Sequence, residues 1–174
     1  MKKTNTRRLA LDAMLAAMYV ALSFLSIKLP NIKLSFDSLP ILVGAALLGP
    51  VDGMSVGLIG GLIYQMITYG FTATTLLWII PAGVRGLIVG LYAKKKGFDM
   101  SMKQTVFIVI LSALVVTALN TLVIYLDSVI FDYYSIVLVF GSIIPRIIAG
   151  ILTGLILSAV LPSIVKALKK KLNF

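Results

Sequence analysis

Two arginines, Arg85 and Arg146, have the greatest potential for binding chemistry, because each falls inside a long apolar segment. Counted from the expected outer ends of those segments, each lies about ten residues deep, or about 15 Å at a rise of about 1.5 Å per residue. A guanidinium at that depth is disfavoured by about 3 kcal/mol or more, so it needs an anion, several carbonyl oxygens or a wet cavity. The two side chains therefore predict a functional site.

No carboxylate of the chain is an evident partner for these arginines. Glutamate is absent, and the six acidic residues are all aspartates. Asp12 is expected near the inner end of its span, and the other five aspartates are expected at segment ends. A planar guanidinium suits a carboxylate, so we expect an anionic ligand to be the partner. The alternative is that each arginine caps helix carbonyls or extends to the inner surface.

Aromatic, amide, hydroxyl and charged side chains gather near the expected outer mouth of the spans. Such a set favours a flat, polar, ring-containing ligand, although aromatic residues at this level also serve as interfacial anchors. An amide inside a span needs a partner, which a ligand or a neighbouring helix would supply. Besides the two arginines, the predicted substrate-binding residues are Lys28, Asn31, Phe36, Asp37, Gln65, Tyr69, Phe71, Thr72, Trp78 and Asn120.

The elements that position these residues are predicted to be membrane-spanning helices. The chain is 60% hydrophobic and 13% charged, with a mean hydropathy of +1.07 over 174 residues. A helix of about 20 apolar residues crosses a bilayer, and a shorter one crosses part of it. The sequence predicts one all-α integral membrane domain over residues 1–174, with spans at 9–29, 38–48, 51–69, 75–92, 105–126 and 135–161.

Most basic residues lie in three clusters, and this pattern predicts the topology. Cytoplasmic loops are rich in lysine and arginine, and six spans place all three clusters, with both termini, on the cytoplasmic side. Adding or removing one span would move a cluster to the other side. The clusters are Lys2, Lys3, Arg7 and Arg8, then Lys94, Lys95, Lys96 and Lys103, and finally Lys166, Lys169, Lys170 and Lys171.

The composition argues against several classes of function. The net charge of +10 lies beside apolar spans, where anionic lipid headgroups are the expected counter-charge, so nucleic-acid binding is not predicted. Cysteine and histidine are absent, which removes thiol nucleophiles and soft metal sites, and neither a metal nor a cofactor is predicted. A phosphate-binding loop of the Gly-x-x-x-x-Gly-Lys kind is also missing, so ATP hydrolysis is expected on other subunits.

Small residues recur at four-residue spacing on several spans, and such faces let helices approach closely in lipid. The glycine pairs, of which Gly53 and Gly57 are one, predict contacts between helices of this chain. The stripe of Ala13, Ala17 and Ala21 on the first span is predicted instead to dock onto a partner protein.

The chain resembles the substrate-binding S components of energy-coupling factor (ECF) vitamin transporters, with motifs most similar to the folate branch. The likeness rests on the alanine stripe behind a basic N-terminus and on the Leu-Gly-Pro-Val-Asp-Gly phrase at 48–53. It also rests on the Gly-Phe-Thr-Ala-Thr turn at 70–74 and the Arg-Gly-Leu-Ile-Val-Gly-Leu stretch at 85–91. The resemblance covers most of the first half of the chain and, in the number and length of spans, the second half.

The resemblance implies a six-helix protein in the plasma membrane of a bacterium that binds a vitamin in a cavity near the outer face, closed by the first loop. It implies docking through the alanine stripe onto a transmembrane coupling subunit that is driven by two cytoplasmic ATPase subunits. Folate or a related anionic vitamin is the expected substrate, with pantothenate as the alternative. A stand-alone membrane carrier and a lipid-modifying membrane enzyme are more distant alternatives.

Within that hypothesis the predicted residues have distinct tasks. Arg85 or Lys28 is expected to hold a carboxylate of the vitamin. Its ring is expected to stack on Trp78, Phe71 or Phe36. Hydrogen bonds to the ring are expected from the amides of Gln65 and Asn120.

Overall fold

Helices account for most of the chain, and a short two-stranded hairpin follows the first of them. The computed structural model describes residues 6–29 and 32–172. The helices are α1 (Thr6–Phe24), α2 (Ser38–Leu47), α3 (Pro50–Tyr69), α4 (Thr75–Lys95), α5 (Met102–Ile130), α6 (Ile136–Phe140) and α7 (Ile143–Leu172), and the strands are β1 (Ile27–Leu29) and β2 (Ile32–Leu34). The predicted all-α membrane fold is confirmed, with two strands of 3 residues each as an addition.

The short helix α2 lies at the centre of the bundle, where it packs against α1, α3, α4 and α7. All of its residues except Leu39 are buried, as expected for a helix that is apolar on every face. It is followed by Gly49, whose φ of 118° suits a residue without a Cβ. Pro50 then begins α3 at a position where the missing N–H of proline has no helical partner to lose.

Glycines bring α3 and α4 into backbone contact. A Cβ at Gly86 would lie 2.1 Å from the carbonyl oxygen of Gly53. A Cβ at Gly57 would lie 2.5 Å from the carbonyl oxygen of Ala82. Because neither site has room for a larger residue, the glycine spacing seen in the sequence serves packing inside this chain.

One end of the bundle, which we call the basic end, gathers residues from four parts of the chain. Arg8 of α1 forms an ion pair with Asp52 in the first turn of α3. Lys169 of α7 donates a hydrogen bond to the carbonyl oxygen of Phe98, and the Phe98 ring lies 3.6 Å from the Cβ position of Gly49. Each of the three basic clusters therefore has members at this end, and its cytoplasmic placement remains a prediction from charge.

The opposite end, which we call the hairpin end, carries β1 and β2. The strands pair antiparallel, with Lys28 opposite Lys33, and β2 lies against α7. The first predicted span, 9–29, thus differs from the structure, because α1 ends at Phe24 and Ile27–Leu29 is a strand. Hydropathy alone does not distinguish the last turn of an apolar helix from a short apolar strand.

A proline explains why the last predicted span, 135–161, is not one continuous helix. Pro145 has no N–H to donate, and its ring clashes with the carbonyl group four residues earlier, at Gly141. Helix α6 accordingly ends at Phe140, and α7 begins at Ile143. Pro145 then falls in the first turn of α7, where the lost donor is tolerated.

Within residues 6–29 and 32–172, four helical stretches are long and apolar enough to cross a bilayer, namely α3, α4, α5 and the stretch Ile136–Lys171, which covers α6 and nearly all of α7. Helix α1 has 19 residues but carries charges in its first two turns, and α2 has 10 residues. Large apolar side chains such as Phe107 and Ile144 are exposed along the helices, as lipid-facing residues are expected to be. These features are those of a multi-pass membrane protein, and the count of six crossings remains a prediction.

Candidate functional site

A cavity of about 310 Å³, which we call the arginine cavity, lies between α1, α2, α4, α5 and α7. Ser35 and Asp37, from the connection between the hairpin and α2, form part of its wall. Both Arg85 and Arg146 line it, so the two arginines singled out by the sequence share one cavity. Asn120 of α5 lines it as well.

Two helices bring the arginines together. Arg85 lies on the face of α4 that points away from the glycine contacts with α3, seven residues after Trp78 and therefore on the same helical face. Arg146 lies in the first turn of α7, where its N–H donates to the carbonyl oxygen of Ser142 at 3.0 Å. The break before α7 thus places the Arg146 side chain at the cavity instead of in the middle of a continuous helix.

The guanidinium groups have only part of their hydrogen-bonding capacity in use. Nη1 of Arg85 donates to the hydroxyl of Ser38, which in turn donates to Oδ1 of Asp37 at 3.2 Å. Nε of Arg85 and Nη1 of Arg146 are buried and find no acceptor among the described residues. A buried charged donor is costly unless it is hydrogen-bonded, so the cavity is suited to a group rich in acceptor oxygens.

Asp37 corrects the expectation that no carboxylate lies near the arginines. The hairpin returns the chain to the start of α2, and this places Asp37 in the wall of the arginine cavity. The Ser38 hydroxyl lies between the carboxylate and the Arg85 guanidinium. With two cations and one anion lining it, the arginine cavity retains an excess of positive charge.

A second cavity of about 530 Å³, which we call the aromatic cavity, adjoins the first toward α3 and the α5–α6 connection. Tyr19, Asp37 and Trp78 line both cavities and form their common wall. The other polar and aromatic residues of the aromatic cavity are Tyr64, Gln65, Tyr69, Thr72, Thr74, Asp127, Phe131 and Tyr133. The cavity therefore offers several ring faces beside hydroxyl and amide groups.

A buried carboxylate, Asp127, organises one side of the aromatic cavity. Its Oδ1 accepts hydrogen bonds from the hydroxyl of Thr74 and from Nε1 of Trp78, the latter at 3.1 Å. Its Oδ2 accepts from the hydroxyl of Tyr133. The bond to Asp127, aided by partial burial, raises the pKa of Tyr133 to about 12, so the phenol keeps its proton at neutral pH.

Most of the predicted substrate-binding residues lie at the two cavities. The residues that line one or both are Asp37, Gln65, Tyr69, Thr72, Trp78, Arg85, Asn120 and Arg146. Phe36 instead packs against the apolar core, and Phe71 is 71% exposed, so neither lines a cavity. Asn31 and the side chain of Lys28 lie outside the described part of the chain.

Several residues of the cavities escaped the sequence reasoning. Tyr19 and Tyr64 fall within apolar spans, where a tyrosine is not distinguishable from an ordinary packing residue. Asp127 was assigned to a connection, whereas α5 continues past it to Ile130. A buried aspartate in the last turn of a helix becomes visible only when its donors, Thr74 and Tyr133, are known to lie nearby.

The alanine stripe of α1 lies on the surface of the bundle. Ala13, Ala17 and Ala21 are exposed, whereas Leu15 and Ala16, on the other side of α1, are buried. The stripe is therefore not used to pack α1 against the rest of this chain. A surface stripe of small residues allows close approach by another helix.

The arrangement is suited to holding a small molecule. The arginine cavity supplies positive charge and hydrogen-bond donors without acceptors among the described residues. The aromatic cavity supplies ring faces, hydroxyls and an amide. Among residues 6–29 and 32–172, no group of three or more acidic, histidine or cysteine side chains is placed to bind a metal ion. A ligand that spans both cavities would pass beside Trp78.

Curated relatives of the chain are bacterial proteins described as UPF0397 proteins. The one from Lactobacillus helveticus (strain DPC 4571) is 35% identical over 125 residues, which is 63% of this chain and 65% of the relative. The one from Leuconostoc citreum (strain KM20) is 37% identical over 82 residues, 46% of this chain and 42% of the relative. The chain thus matches between about two fifths and two thirds of the length of these relatives.

Solved structures with the same fold include transporter subunits. A structure of the S component of a bacterial ECF transporter superposes with a TM-score of 0.69 at 22% identity, covering 95% of this chain and 99% of the other. A crystal structure of FolT bound with folic acid gives a TM-score of 0.64 at 23% identity, covering 94% of this chain and 97% of the other. At these identities the likeness establishes the fold alone.

The family is established by a sequence model that covers nearly the whole chain. The family model described as ECF-type riboflavin transporter, S component, matches residues 3–170. The resemblance to ECF S components found in the sequence is therefore confirmed, and the role of such a component is substrate binding in transport. The chain belongs to the family of ECF-type riboflavin transporter S components.

Proposed function

We propose that this chain is the substrate-binding subunit of an ECF importer in a bacterial plasma membrane, and that it binds a water-soluble vitamin with a flat ring and an acidic tail. The observation that carries the proposal is the pair of adjoining cavities, one cationic and one aromatic. Folate has both a flat heteroaromatic ring and carboxylates, so it is the first candidate.

The acidic tail is assigned to the arginine cavity. Arg85 Nε and Arg146 Nη1 are buried charged donors that find no acceptor among the described residues, and a carboxylate offers two oxygens that could accept from them. A hydrogen bond to a charged group contributes about 1.5–3 kcal/mol, so each arginine is a strong determinant of affinity. Asn120 is placed in the same cavity to bond a polar group of the tail.

The ring is assigned to the aromatic cavity. Trp78 stands in the common wall, where it can stack on the part of the ligand nearest the tail. Gln65 and Thr72 are placed to hydrogen-bond the polar edge of a heteroaromatic ring. Gln65 is only 9% exposed, so its amide needs a partner within the protein or on the ligand.

Riboflavin is a second candidate, because the description of the matching family model names it. Its tricyclic ring would occupy the aromatic cavity, but it has no acid group and would leave the arginines without an anionic partner. Pantothenate has the acid but no ring, so it would use the arginine cavity alone. The three vitamins therefore make different demands on the two cavities.

Titration calorimetry of the purified protein with folate, riboflavin and pantothenate tests the assignment. We expect folate to bind most tightly, and Arg85→Ala and Arg146→Ala each to weaken it about 10- to 100-fold, the equivalent of about 1.4–2.8 kcal/mol. Arg7→Ala is the matched control, because Arg7 is exposed on α1 and lines neither cavity. Equal affinity of Arg85→Ala and the unmodified protein would remove Arg85 from the site. Tighter binding of riboflavin, unaffected by either substitution, would favour the second candidate.

The partners are proposed to be a transmembrane coupling subunit and two cytoplasmic ATPase subunits, with the exposed stripe of Ala13, Ala17 and Ala21 as the docking face. A bulky side chain on that stripe should block close approach of a partner helix. Ala17→Trp is therefore expected to abolish co-purification with the coupling and ATPase subunits while leaving ligand affinity intact. Ala118→Trp, at an exposed alanine of α5, is the control. An unchanged yield of complex from Ala17→Trp, or vitamin uptake into liposomes without partners, would contradict the docking proposal.

A further inference from the structure

Asp127 is a buried charged group to which the proposed binding chemistry gives no task. It lies in α5, near its C-terminus at Ile130, and is 8% exposed. Among the described residues, its hydrogen-bond donors are three neutral side chains, those of Thr74, Trp78 and Tyr133. A buried carboxylate is costly unless its oxygens are hydrogen-bonded, and here both oxygens accept bonds.

The three donors come from two parts of the hairpin end. Thr74 precedes α4, Trp78 lies in the first turns of α4, and Tyr133 belongs to the connection between α5 and α6. The hydroxyl of Thr74 is in turn within 3.4 Å of the hydroxyl of Thr72. The carboxylate thus joins two connections of the chain around the indole of Trp78.

Trp78 is the residue whose placement matters most to the cavities. It lines both of them, together with Tyr19 and Asp37. The polar atom of the indole donates to Oδ1 of Asp127 at 3.1 Å. Because an indole has a single N–H donor, this bond constrains the direction in which the N–H edge of the ring points.

We propose that Asp127 is a positioning residue that holds the Trp78 indole as the wall between the arginine cavity and the aromatic cavity. The inference deepens the proposed function, since Trp78 belongs to the proposed vitamin site, but it concerns the ligand-free protein. Asp127 lines the aromatic cavity, but its proposed task is to hold Trp78 and not to bind the ligand. It acts through Trp78, with Thr74 and Tyr133 holding the carboxylate in place.

The chain contains one tryptophan, so its fluorescence reports on Trp78 alone. The test measures quenching of that fluorescence by acrylamide in the purified, ligand-free protein. Asp127→Ala is expected to raise the Stern–Volmer constant at least about twofold, because a freed indole becomes more accessible to a small solute. Asp127→Asn is expected to raise it less, because the amide oxygen can still accept from Nε1 while the amide nitrogen donates to the Tyr133 hydroxyl.

Asp132→Ala is the matched control, because Asp132 is an exposed aspartate five residues further along the chain. A second measurement keeps the proposal testable if Asp127→Ala does not fold. The ¹⁹F resonance of 5-fluorotryptophan at position 78 is expected to move in Asp127→Asn and to stay in place in Asp132→Asn. Quenching and resonance in Asp127→Asn that match the unmodified protein would overturn the proposal. Because no vitamin is present, this result is distinguishable from a failure of the proposed function.

Discussion

The two faces of α4 serve different purposes. On one face, the backbone of α4 is in contact with that of α3. A Cβ at Gly86 of α4 would lie only 2.1 Å from a carbonyl oxygen of α3, and a Cβ at Gly57 of α3 would lie 2.5 Å from a carbonyl oxygen of α4. On the other face, Trp78 and Arg85 line a cavity, and Nε of Arg85 is a buried donor that finds no acceptor among the described residues. We call the first region the glycine seam and the second the cavity side. The comparison indicates that tight packing at the seam holds the helix that presents the binding groups.

Two glycines of α7, Gly150 and Gly154, are packed more loosely than those of the glycine seam. A Cβ at Gly150 of α7 would lie 3.6 Å from the hydroxyl oxygen of Thr117, and one at Gly154 would lie 3.7 Å from Ile110. These are ordinary van der Waals distances, so α5 and α7 are not locked together by backbone contact. The glycine seam therefore has no room for a residue larger than glycine, whereas Gly150 and Gly154 of α7 have room for a methyl group.

The largest effect is expected from Gly86→Ala at the glycine seam. The added methyl would overlap the carbonyl oxygen of Gly53, and two helix backbones would have to separate to admit it. Overpacking of this kind costs about 3 kcal/mol or more when the obstacle is backbone. We expect a lower thermal unfolding temperature in detergent and a poor yield of monodisperse protein. Gly154→Ala is the matched control, and equal unfolding temperatures of the two variants would break the distinction between seam and cavity side.

The seam was easier to foresee from the sequence than the cavity side. Two features of the seam can be predicted from neighbouring residues alone. They are the glycines at four-residue spacing, as at Gly53 and Gly57, and the helix break at Gly49–Pro50. The sequence also separates Arg85 and Arg146 from all other cations by placing them inside apolar segments. Their meeting in one cavity depends on helix depth, which can be counted along the chain.

The remaining features depend on tertiary contacts that no local pattern encodes. Asp37 reaches the arginine cavity because the hairpin, of which only the first strand falls in the predicted span 9–29, turns the chain back toward α2. The sequence prediction places Pro145 inside one span over 135–161, whereas in the structure α6 ends at Phe140 and α7 begins at Ile143. Asp127 lies 53 and 49 residues from two of its donors, Thr74 and Trp78, so these contacts could not be read from spacing.

Arg85→Met, on the cavity side, is expected to have an intermediate effect. It should preserve or raise the stability of the protein and weaken vitamin binding. Methionine has a similar length without a charge, and replacement of a buried ionic group by an apolar one is often neutral or stabilising by about 1 kcal/mol or more. We expect the unfolding temperature to stay the same or rise while vitamin affinity falls about 10- to 100-fold. Calorimetry and thermal unfolding measure the two quantities, with Arg7→Met as the control. A drop in stability equal to that of Gly86→Ala would show that Arg85 is a structural residue.

The smallest effect, and the sharpest test of the comparison, is expected from Gly150→Ala. The new methyl would lie at ordinary contact distance from Thr117 and 3.8 Å from Cβ of Ala113, and alanine favours a helix over glycine by about 0.5–1 kcal/mol. Stability should therefore stay equal or rise, by about 2–4 °C in unfolding temperature for each kcal/mol.

Gly150 lines the arginine cavity, whereas Gly154 lines neither cavity, so the two glycines of α7 separate a packing effect from a binding effect. A methyl in the cavity wall should weaken vitamin binding about fivefold or more, because one added carbon in a fitted pocket changes affinity by about 1–3 kcal/mol. Gly154→Ala should give the same gain in stability with unchanged affinity. If both variants bind equally well, the arginine cavity is not where the ligand sits, and the glycines of α7 serve helix packing alone.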